Sequence, residues 1–325
     1  MKVGKLDSYE LKEIIDNNRG IKRDDVRIRG SIGEDCSVIN FGEIECVVST
    51  DPITGSENGI GKLAVHINCN DIASCGAEPI GILVTLLAPV SSTLDDLKKV
   101  MEEISEECRT LNIEVLGGHT EITKAVNKMV ISCTAIGKTR KNTAVKTGGA
   151  KVNDDIIVTK KLAMEGSFIA VSDKIQRLNT ILSKEEISEA KGYIDHISVV
   201  KEGKLSGKYG VNSMHDITEG GVLGALWEVV NASKCGFKVY DELMPLSTVT
   251  KKICAEFNIN PLRFISSGSM LITCKCGEKL VDELNKNDIE ATIIGKVTEN
   301  KAIIVIDGIE QQVTPPKSDE LFKII

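Results

Sequence analysis

The clearest pattern along the chain is a helical repeat of apolar residues. Over Ser92–Asn112 they recur every three or four positions and share one helix face: Leu94, Leu97, Met101, Ile104, Cys108 and Leu111. A second helix is predicted over Ile60–Cys75, because Gly76 follows as a stop signal. The continuous apolar run Ile80–Ala88 has the length of a buried strand. The remaining elements predicted in this half are a helix at 7–18, capped by Asp7, and strands at 37–40, 45–49, 113–116 and 129–136.

Turn-forming residues near the middle of the chain divide it into two predicted domains. The segment Lys146–Ala150 contains two adjacent glycines. Beyond it strands alternate with helices, which is typical of an α/β domain. The predicted strands are 156–159, 236–240, 269–274, 291–296 and 302–306, and the predicted helices are 184–195, 219–233, 247–257 and 277–287. We therefore predict an α/β (α+β) protein with one domain over residues 1–148 and a second over residues 149–325.

Composition narrows the class of protein without defining its chemistry. With 325 residues, of which 42% are hydrophobic and 27% charged, the chain has material for two hydrophobic cores. The chain has no apolar run of about 18 residues, and its opening lacks a secretory pattern. We therefore expect a cytoplasmic protein that does not cross a membrane. A formal net charge of −7 and an aromatic content of 3% argue against a nucleic-acid partner.

The 10 cysteines raise the question of disulfides or a metal centre. The sequence contains no CxxC pair, and Cys274 and Cys276 form an isolated CxC. Most of the cysteines lie among apolar or small residues. We therefore expect reduced thiols that pack as small apolar side chains, and the sequence leaves open whether the CxC pair binds anything.

Three aspartates in the first half are candidate metal ligands. Asp35, Asp51 and Asp71 have no basic residue directly beside them. Carboxylates gathered in one pocket repel one another, and Mg²⁺ prefers one or two carboxylates together with substrate phosphates. If the three aspartates converge, they define a site for magnesium and a nucleoside triphosphate. Taken singly, each is better explained as a helix cap or a turn residue.

Two polar residues beside these aspartates extend the candidate site. Thr50 precedes Asp51, and Asn70 precedes Asp71 inside the predicted helix. Asparagine is unfavourable within a helix, and such a local conflict is typical of a functional position. The alternative is a polar helix face at a domain or subunit contact.

Glycine-containing motifs suggest further contacts with a ligand. The segment Gly117–Glu121 begins with a glycine pair that allows close approach of a phosphate or of another backbone. The segment His215–Gly221 leads into a predicted helix, whose first amides bind an anion if they are exposed and are otherwise simply capped. Neither a GxxxxGK[ST] motif nor a GxGxxG motif occurs, so a P-loop and a dinucleotide fingerprint are excluded.

Together these motifs resemble the aminoimidazole-ribonucleotide (AIR) synthase-related superfamily. The resemblance extends from about Gly33 to Lys296, and its most specific part is Leu63–Pro79. The superfamily includes thiamine-monophosphate kinase, selenophosphate synthetase and a hydrogenase maturation factor, and the spacing is most similar to the last of these. The supporting motifs are Ser49–Asp51, Gly117-Gly118, His215–Gly221 and Ile293–Val297.

The resemblance implies a two-domain PurM-like fold whose first domain pairs its sheet with that of a second subunit, forming a β-barrel in a homodimer. It implies that ATP lies in the resulting cleft, with its phosphates held through Mg²⁺ by the three aspartates. A weakly nucleophilic oxygen of a small-molecule acceptor would then attack the γ-phosphate. Another maturation protein is a candidate partner. The candidate cofactor-binding residues are Asp35, Thr50, Asp51, Asn70, Asp71, Gly117, Gly118, His215 and Asp216, and the candidate catalytic residues are His119 and Glu121.

Two departures from the family pattern keep the function open. The family has an aspartate after the glycine pair, whereas this chain has His119, with Glu121 as the nearest carboxylate. His119 fits a phosphate contact, a ligand for a softer metal, or an acid–base group. The maturation factor also ends in a tail with an acceptor cysteine, whereas the last cysteine here is Cys276. The sequence therefore allows an ATP-dependent phosphoryl-transfer or activation enzyme, a non-catalytic nucleotide-binding scaffold or maturation partner, or a thiamine-monophosphate-kinase-like phosphotransferase.

Overall fold

Two β-sheets, each covered by helices, organise the molecule. The computed structural model describes residues 6, 8–16, 18–54, 59–315 and 318–324. Among these residues, no helix combines the length and apolar character that crossing a bilayer requires. The predicted mixed α/β fold with two sheet-containing domains is confirmed.

The first sheet lies in the N-terminal half. Its six strands are β1 (Val26–Ile28), β2 (Ser37–Asn40), β3 (Ile44–Ile53), β4 (Glu78–Pro89), β5 (Glu114–Thr123) and β6 (Val130–Arg140). Across the sheet they follow the order β1-β2-β3-β6-β4-β5, and every pair is antiparallel except β4 with β5. Strand β5 therefore lies at one edge of the sheet. The helices of this half are α1 (Ser8–Asp16), α2 (Ile60–Ser74) and α3 (Leu94–Leu111).

Helices α2 and α3 differ in how they are stabilised. Helix α3 is amphipathic and begins with a capping box in which the side chains of Thr93 and Asp96 each accept a backbone N–H of the other residue. Helix α2 is buried on nearly all sides, including five polar side chains: His66, Asn68, Asn70, Asp71 and Ser74. A helix buried all round is expected to be apolar throughout. The polar residues of α2 therefore need partners inside the protein.

The second sheet lies in the C-terminal half. Its seven strands are β7 (Asp155–Thr159), β8 (Ser213–Ile217), β9 (Gly236–Tyr240), β10 (Ser269–Cys274), β11 (Ala291–Thr298), β12 (Ala302–Ile306) and β13 (Ile309–Gln312). They follow the order β13-β12-β9-β11-β7-β10-β8. The helices are α4 (Met164–Asp173), α5 (Ile175–Leu178), α6 (Lys184–Gly192), α7 (Val200–Tyr209), α8 (Gly221–Ser233), α9 (Thr248–Phe257) and α10 (Gly277–Asn285). Short 3₁₀ turns occupy Thr147–Gly149, Tyr193–His196, Asp241–Leu243, Pro261–Arg263 and Glu320–Lys323.

Helix α2 joins the two halves. The amide nitrogen of Asn70 donates to the carbonyl of Ile197 at 2.8 Å, and its amide oxygen accepts the N–H of Val199 at 2.8 Å. Gly203 on α7 packs so closely that a Cβ there would lie 2.2 Å from the carbonyl oxygen of Ala73. The end of α2 is therefore held against the C-terminal half by both hydrogen bonds and close packing.

Several predicted elements need correction. Strand β3 extends beyond its predicted end at residue 49 and includes Thr50 and Asp51, and β5 extends beyond its predicted end at residue 116 and includes Gly117–Glu121. The predicted helix at 184–195 ends at Gly192 and continues as a 3₁₀ turn. Elements absent from the prediction are β1, α4, α5, α7, β8 and β13. The Asp7 helix cap lies outside the described residues, and the domain boundary at 148/149 stays a prediction.

All 10 cysteines are free thiols, and most of them are buried. Cys274 is buried at the end of β10, whereas Cys276 is exposed. Burial raises the pKa of the Cys274 thiol to about 11. A thiol in such surroundings behaves as a small apolar side chain at neutral pH.

Candidate functional site

Asp71 lies at the centre of a buried acidic cluster. The side chain projects from α2, and its Oδ2 accepts a hydrogen bond of 2.6 Å from the Ser49 hydroxyl on β3. Burial raises the pKa of Asp71 well above its usual value, and the negative charges of Asp216, Asp35 and Asp51 raise it further. The three aspartates singled out in the sequence are thus close enough to act on one another electrostatically, together with Asp216.

Asp51 is held in place through its backbone. Its N–H donates to the side-chain oxygen of Asn68 at 2.8 Å, and its carbonyl accepts from the Asn68 amide nitrogen at 3.3 Å. The hydroxyl of the neighbouring Thr50 donates to the carbonyl of Cys133 on β6 at 2.9 Å. Asn68 therefore fixes the segment of β3 that carries the Asp51 carboxylate against α2. The Thr50 hydroxyl, by contrast, links β3 to the neighbouring strand β6.

The C-terminal half adds His215 and Asp216, which lie on β8. Asp35, His215 and Asp216 each place one possible ligand atom within 4.8 Å of the others. Asp216 is 1% exposed, and neither of its carboxylate oxygens has a hydrogen-bond partner. A buried carboxylate without donors is costly unless a cation neutralises it. The cluster is thus assembled from both halves of the chain.

His215 is better described as a charge partner than as a metal ligand. Its Nε2 lies 2.9 Å from Glu228 Oε2 and 3.8 Å from Asp35 Oδ2, and its Nδ1 lies 3.8 Å from Asp216 Oδ1. Burial alone would lower the pKa of His215, but the surrounding carboxylates outweigh burial and raise it well above its usual value. A protonated imidazole has no lone pair for a metal. His215 therefore supplies one positive charge among several carboxylates.

Glu34 and Glu228 are site neighbours that were not among the predicted site residues. Glu34 Oε2 accepts the N–H of Thr147 at 3.1 Å, and burial raises the pKa of Glu34 to about 7. Glu34 adjoins Asp35 in the sequence, so the Gly-Glu-Asp motif is the sequence feature that could have indicated Glu34 as a site residue. Glu228 lies on α8, where its spacing fits an ordinary helix surface, and nothing in the local sequence marks it.

The predicted catalytic residues lie apart from this buried cluster. His119 and Glu121 are exposed on the edge strand β5, with His119 Nε2 3.4 Å from Glu121 Oε2. A Cβ on Gly118 would lie 1.8 Å from the carbonyl oxygen of Val84 on β4, so this glycine is required by the close approach of two strands. Gly117 leaves room for a side chain, with its nearest atom 3.8 Å away. Asn70, another predicted cofactor-binding residue, uses both polar side-chain atoms to join the two halves.

The donor set of the cluster fits a hard divalent cation. Asp35, Asp51, Asp71 and Asp216 offer carboxylate oxygens, the ligands that Mg²⁺ prefers. The orphaned oxygens of Asp216 and the raised pKa of Asp71 both indicate uncompensated negative charge. One protonated histidine offsets only part of this charge.

Comparison with known families identifies the fold. The chain matches the model of the AIR synthase related protein N-terminal domain over residues 33–139 and that of the C-terminal domain over residues 151–308. These matches cover most of the chain, and it belongs to the AIR synthase related family. The acidic cluster draws residues from both matched regions.

The relatives include hydrogenase maturation proteins and a thiamine-monophosphate kinase. A putative hydrogenase expression/formation protein of Methanocaldococcus jannaschii is 27% identical over 316 residues, which cover 93% of this chain and 91% of that protein. The carbamoyl dehydratase HypE of Bradyrhizobium diazoefficiens is 24% identical over 246 residues, which cover 74% and 69% of the two chains.

Solved structures share the same fold. A chain from a HypE–HypF complex superposes with a TM-score of 0.79 at 21% identity, covering 94% of this chain and 99% of that chain. A ThiL chain complexed with AMPPCP and TMP gives a TM-score of 0.77 at 20% identity, covering 98% and 99%. HypE in complex with ATP gives a TM-score of 0.70 at 17% identity, covering 98% of both chains. At these identities the likeness establishes the fold alone.

Proposed function

We propose that this chain binds ATP with Mg²⁺ at the acidic cluster and acts as an ATP-dependent phosphoryl-transfer or activation enzyme. The observation that carries the proposal is the convergence of four aspartates from both halves, with Asp216 buried and without hydrogen-bond donors. Without a ligand this arrangement does not stabilise the folded protein, because burying mutually repelling carboxylates costs free energy. A bound cation and its triphosphate offset that cost.

Each residue of the cluster has a distinct task in this proposal. Asp51, Asp71 and Asp216, with Asp35 at the more open side, would hold the metal, which neutralises phosphate charge when bound. Ser49 orients Asp71, and Asn68 orients the backbone of Asp51. The chain's own contribution to the reaction is thus positioning and control of charge.

His119 and Glu121 are assigned a role at the nucleotide site of a second copy of the chain. Strand β5 is an edge strand with exposed apolar side chains, and an unpaired edge of this kind is a template for pairing with another sheet. We infer a homodimer in which β4 and β5 face the partner subunit. His119 then reaches the nucleotide cleft across the interface, where it contacts phosphate or acts as an acid–base group.

The relatives support nucleotide binding by this chain and indicate two classes of acceptor molecule. The structures of HypE with ATP and of ThiL with AMPPCP support nucleotide binding by this fold. The carbamoyl dehydratase relatives favour an acceptor oxygen of a carboxamide type, and the HypE–HypF complex favours a maturation protein as partner. The thiamine-monophosphate kinase of Bacillus subtilis, 25% identical over 200 residues, keeps phosphorylation of thiamine monophosphate as the second candidate.

The test is the fate of the γ-phosphate. Wild-type protein is incubated with ATP, Mg²⁺ and one acceptor at a time, either a carboxamide or thiamine monophosphate, and followed by ³¹P NMR. We expect loss of the γ-phosphate signal with one acceptor class and at least a hundredfold slower loss in Asp216→Asn. If ATP binds but no acceptor gives turnover above the Asp216→Asn control, the chain is a nucleotide-binding scaffold.

A further inference from the structure

Glu228 makes the closest contact to His215 among the carboxylates that the structure describes around this ring. Its Oε2 lies 2.9 Å from His215 Nε2, which is hydrogen-bond distance. Asp35 Oδ2 and Asp216 Oδ1 each lie 3.8 Å from a ring nitrogen, which is too far for a hydrogen bond. His215 is only 3% exposed, so protein contacts and not water set the orientation of its ring. Glu228 therefore anchors the imidazole between Asp35 and Asp216.

The same glutamate lies directly beneath the turn that carries Asp35. A Cβ added to Gly33 would lie 3.1 Å from the Cβ of Glu228, so this turn packs closely on α8. One residue further along, Glu34 Oε2 accepts the N–H of Thr147 at 3.1 Å. The Gly33–Asp35 turn of the first half therefore rests on α8 of the second half. Glu228 contacts both parts of the acidic cluster, the turn through its Cβ and His215 through its carboxylate.

The spacing around the anchored ring keeps carboxylate oxygens available to a cation. Both oxygens of Asp216 are buried and have no hydrogen-bond partner, and His215 Nδ1 stays 3.8 Å away from one of them. Without its anchor the imidazole would turn toward Asp216 and donate to that oxygen, because a buried N–H needs an acceptor. An oxygen that accepts a charge-assisted hydrogen bond has less charge to offer a metal. Removal of the Glu228 carboxylate is therefore expected to weaken cation binding.

We propose that Glu228 is a positioning residue of the metal–triphosphate site, which anchors His215 and thereby keeps the oxygens of Asp35 and Asp216 open to the cation. The inference rests on the proposed function, because these aspartates matter here as ligands of the nucleotide-bound cation. Glu228 itself does not touch the nucleotide or the metal in this assignment. It acts through the imidazole, and α8 is the element that relates the aspartate of the first half to that of the second.

Calorimetric titration of the full chain with ATP, in Mg²⁺ and again in chelator, tests the role of Glu228. Alanine keeps the Cβ against which Gly33 packs, so Glu228→Ala removes only the anchor of His215. We expect this variant to bind ATP about tenfold or more weakly in Mg²⁺ and as wild type does in chelator. Glu228→Gln keeps an accepting oxygen and should stay within about threefold of wild type. Glu283→Ala, the same chemical change at an exposed position of α10, is the control.

A double-mutant cycle with His215→Ala shows whether Glu228 acts through the imidazole. In that case Glu228→Ala causes no further loss of affinity once the ring is gone. Additive losses, a loss in Glu228→Gln as large as in Glu228→Ala, or equal affinity of Glu228→Ala and wild type each overturn the assignment and leave ATP binding by the chain intact. Absence of Mg²⁺-dependent ATP binding in wild type overturns the proposed function as well. If Glu228→Ala does not fold, Glu228→Asp, whose side chain is one methylene shorter, must show the same selective loss.

Discussion

The ionised carboxylate of Asp71 lowers the stability of the ligand-free protein, whereas in the proposed function it holds the cation. Its raised pKa means that the ionised form is disfavoured in the folded protein, so stability without ligands falls as the pH rises above the ordinary value of 3.8. We expect Asp71→Asn to raise the free energy of unfolding at pH 7 by roughly 1–2 kcal/mol in the absence of metal, measured by urea titration.

The control for Asp71 is Asp95→Asn on the outer face of α3, where the side chain is 91% exposed. This change is expected to alter stability by less than about 0.5 kcal/mol. If Asp71→Asn instead lowers stability by more than about 1 kcal/mol, the carboxylate is compensated within the protein and the case for a cation fails.

At the scale of elements, the adjacent glycines of β5 offer a matched pair of substitutions. Both have positive φ, 146° at Gly117 and 151° at Gly118, but only Gly118 meets a neighbouring backbone. We expect Gly117→Ala to cost roughly 1–2 kcal/mol from backbone strain alone. Gly118→Ala should cost at least about 4 kcal/mol, because its Cβ overlaps the Val84 carbonyl. Equal losses in urea unfolding would show that β5 does not pair with β4 in this register.

Asn70 tests whether α2 is a structural connection or a nucleotide contact. Removing its amide leaves the Val199 N–H and the Ile197 carbonyl unsatisfied, so Asn70→Ala should cost roughly 2–4 kcal/mol. Nucleotide affinity should stay within about threefold of wild type where the variant is folded. Asn287→Ala, which loses one exposed hydrogen bond, is the control. A large loss of affinity with little loss of stability would restore the cofactor-binding role predicted from the sequence.

At the scale of the whole molecule, the proposed homodimer places the edge of the first sheet at the subunit interface. Leu116 and Ile122 on β5 are 46% and 48% exposed, and lysine on an edge strand opposes pairing with another sheet. We expect sedimentation to report a dimer for wild type and a monomer for the double variant Leu116→Lys, Ile122→Lys. Ile309→Lys, on the edge strand of the second sheet, should remain dimeric. The reverse pattern would assign the interface to the C-terminal half.

Local sequence signals predicted many of the helices and strands, but they did not show where the site residues on those elements converge. The apolar repeat of α3 is visible within one stretch of chain, and that helix was predicted to within about two residues. Strand β8 was missed because its buried residues include His215 and Asp216, which carry no apolar signal. The predicted strand stops at residue 116, before the glycine pair of β5, because the close contact that requires Gly118 comes from β4, which is distant in the sequence. Convergence of the aspartates likewise depends on packing between the two halves.

The central claim is that the acidic cluster needs a divalent cation and a triphosphate together. The most direct measurement is a calorimetric titration of the folded wild-type chain with ATP, carried out with Mg²⁺ and again with chelator. We predict saturable binding with Mg²⁺ and at least tenfold weaker binding without it, since the phosphates would then face unshielded carboxylates. Equal affinity with and without Mg²⁺, or no binding in either case, would contradict the account.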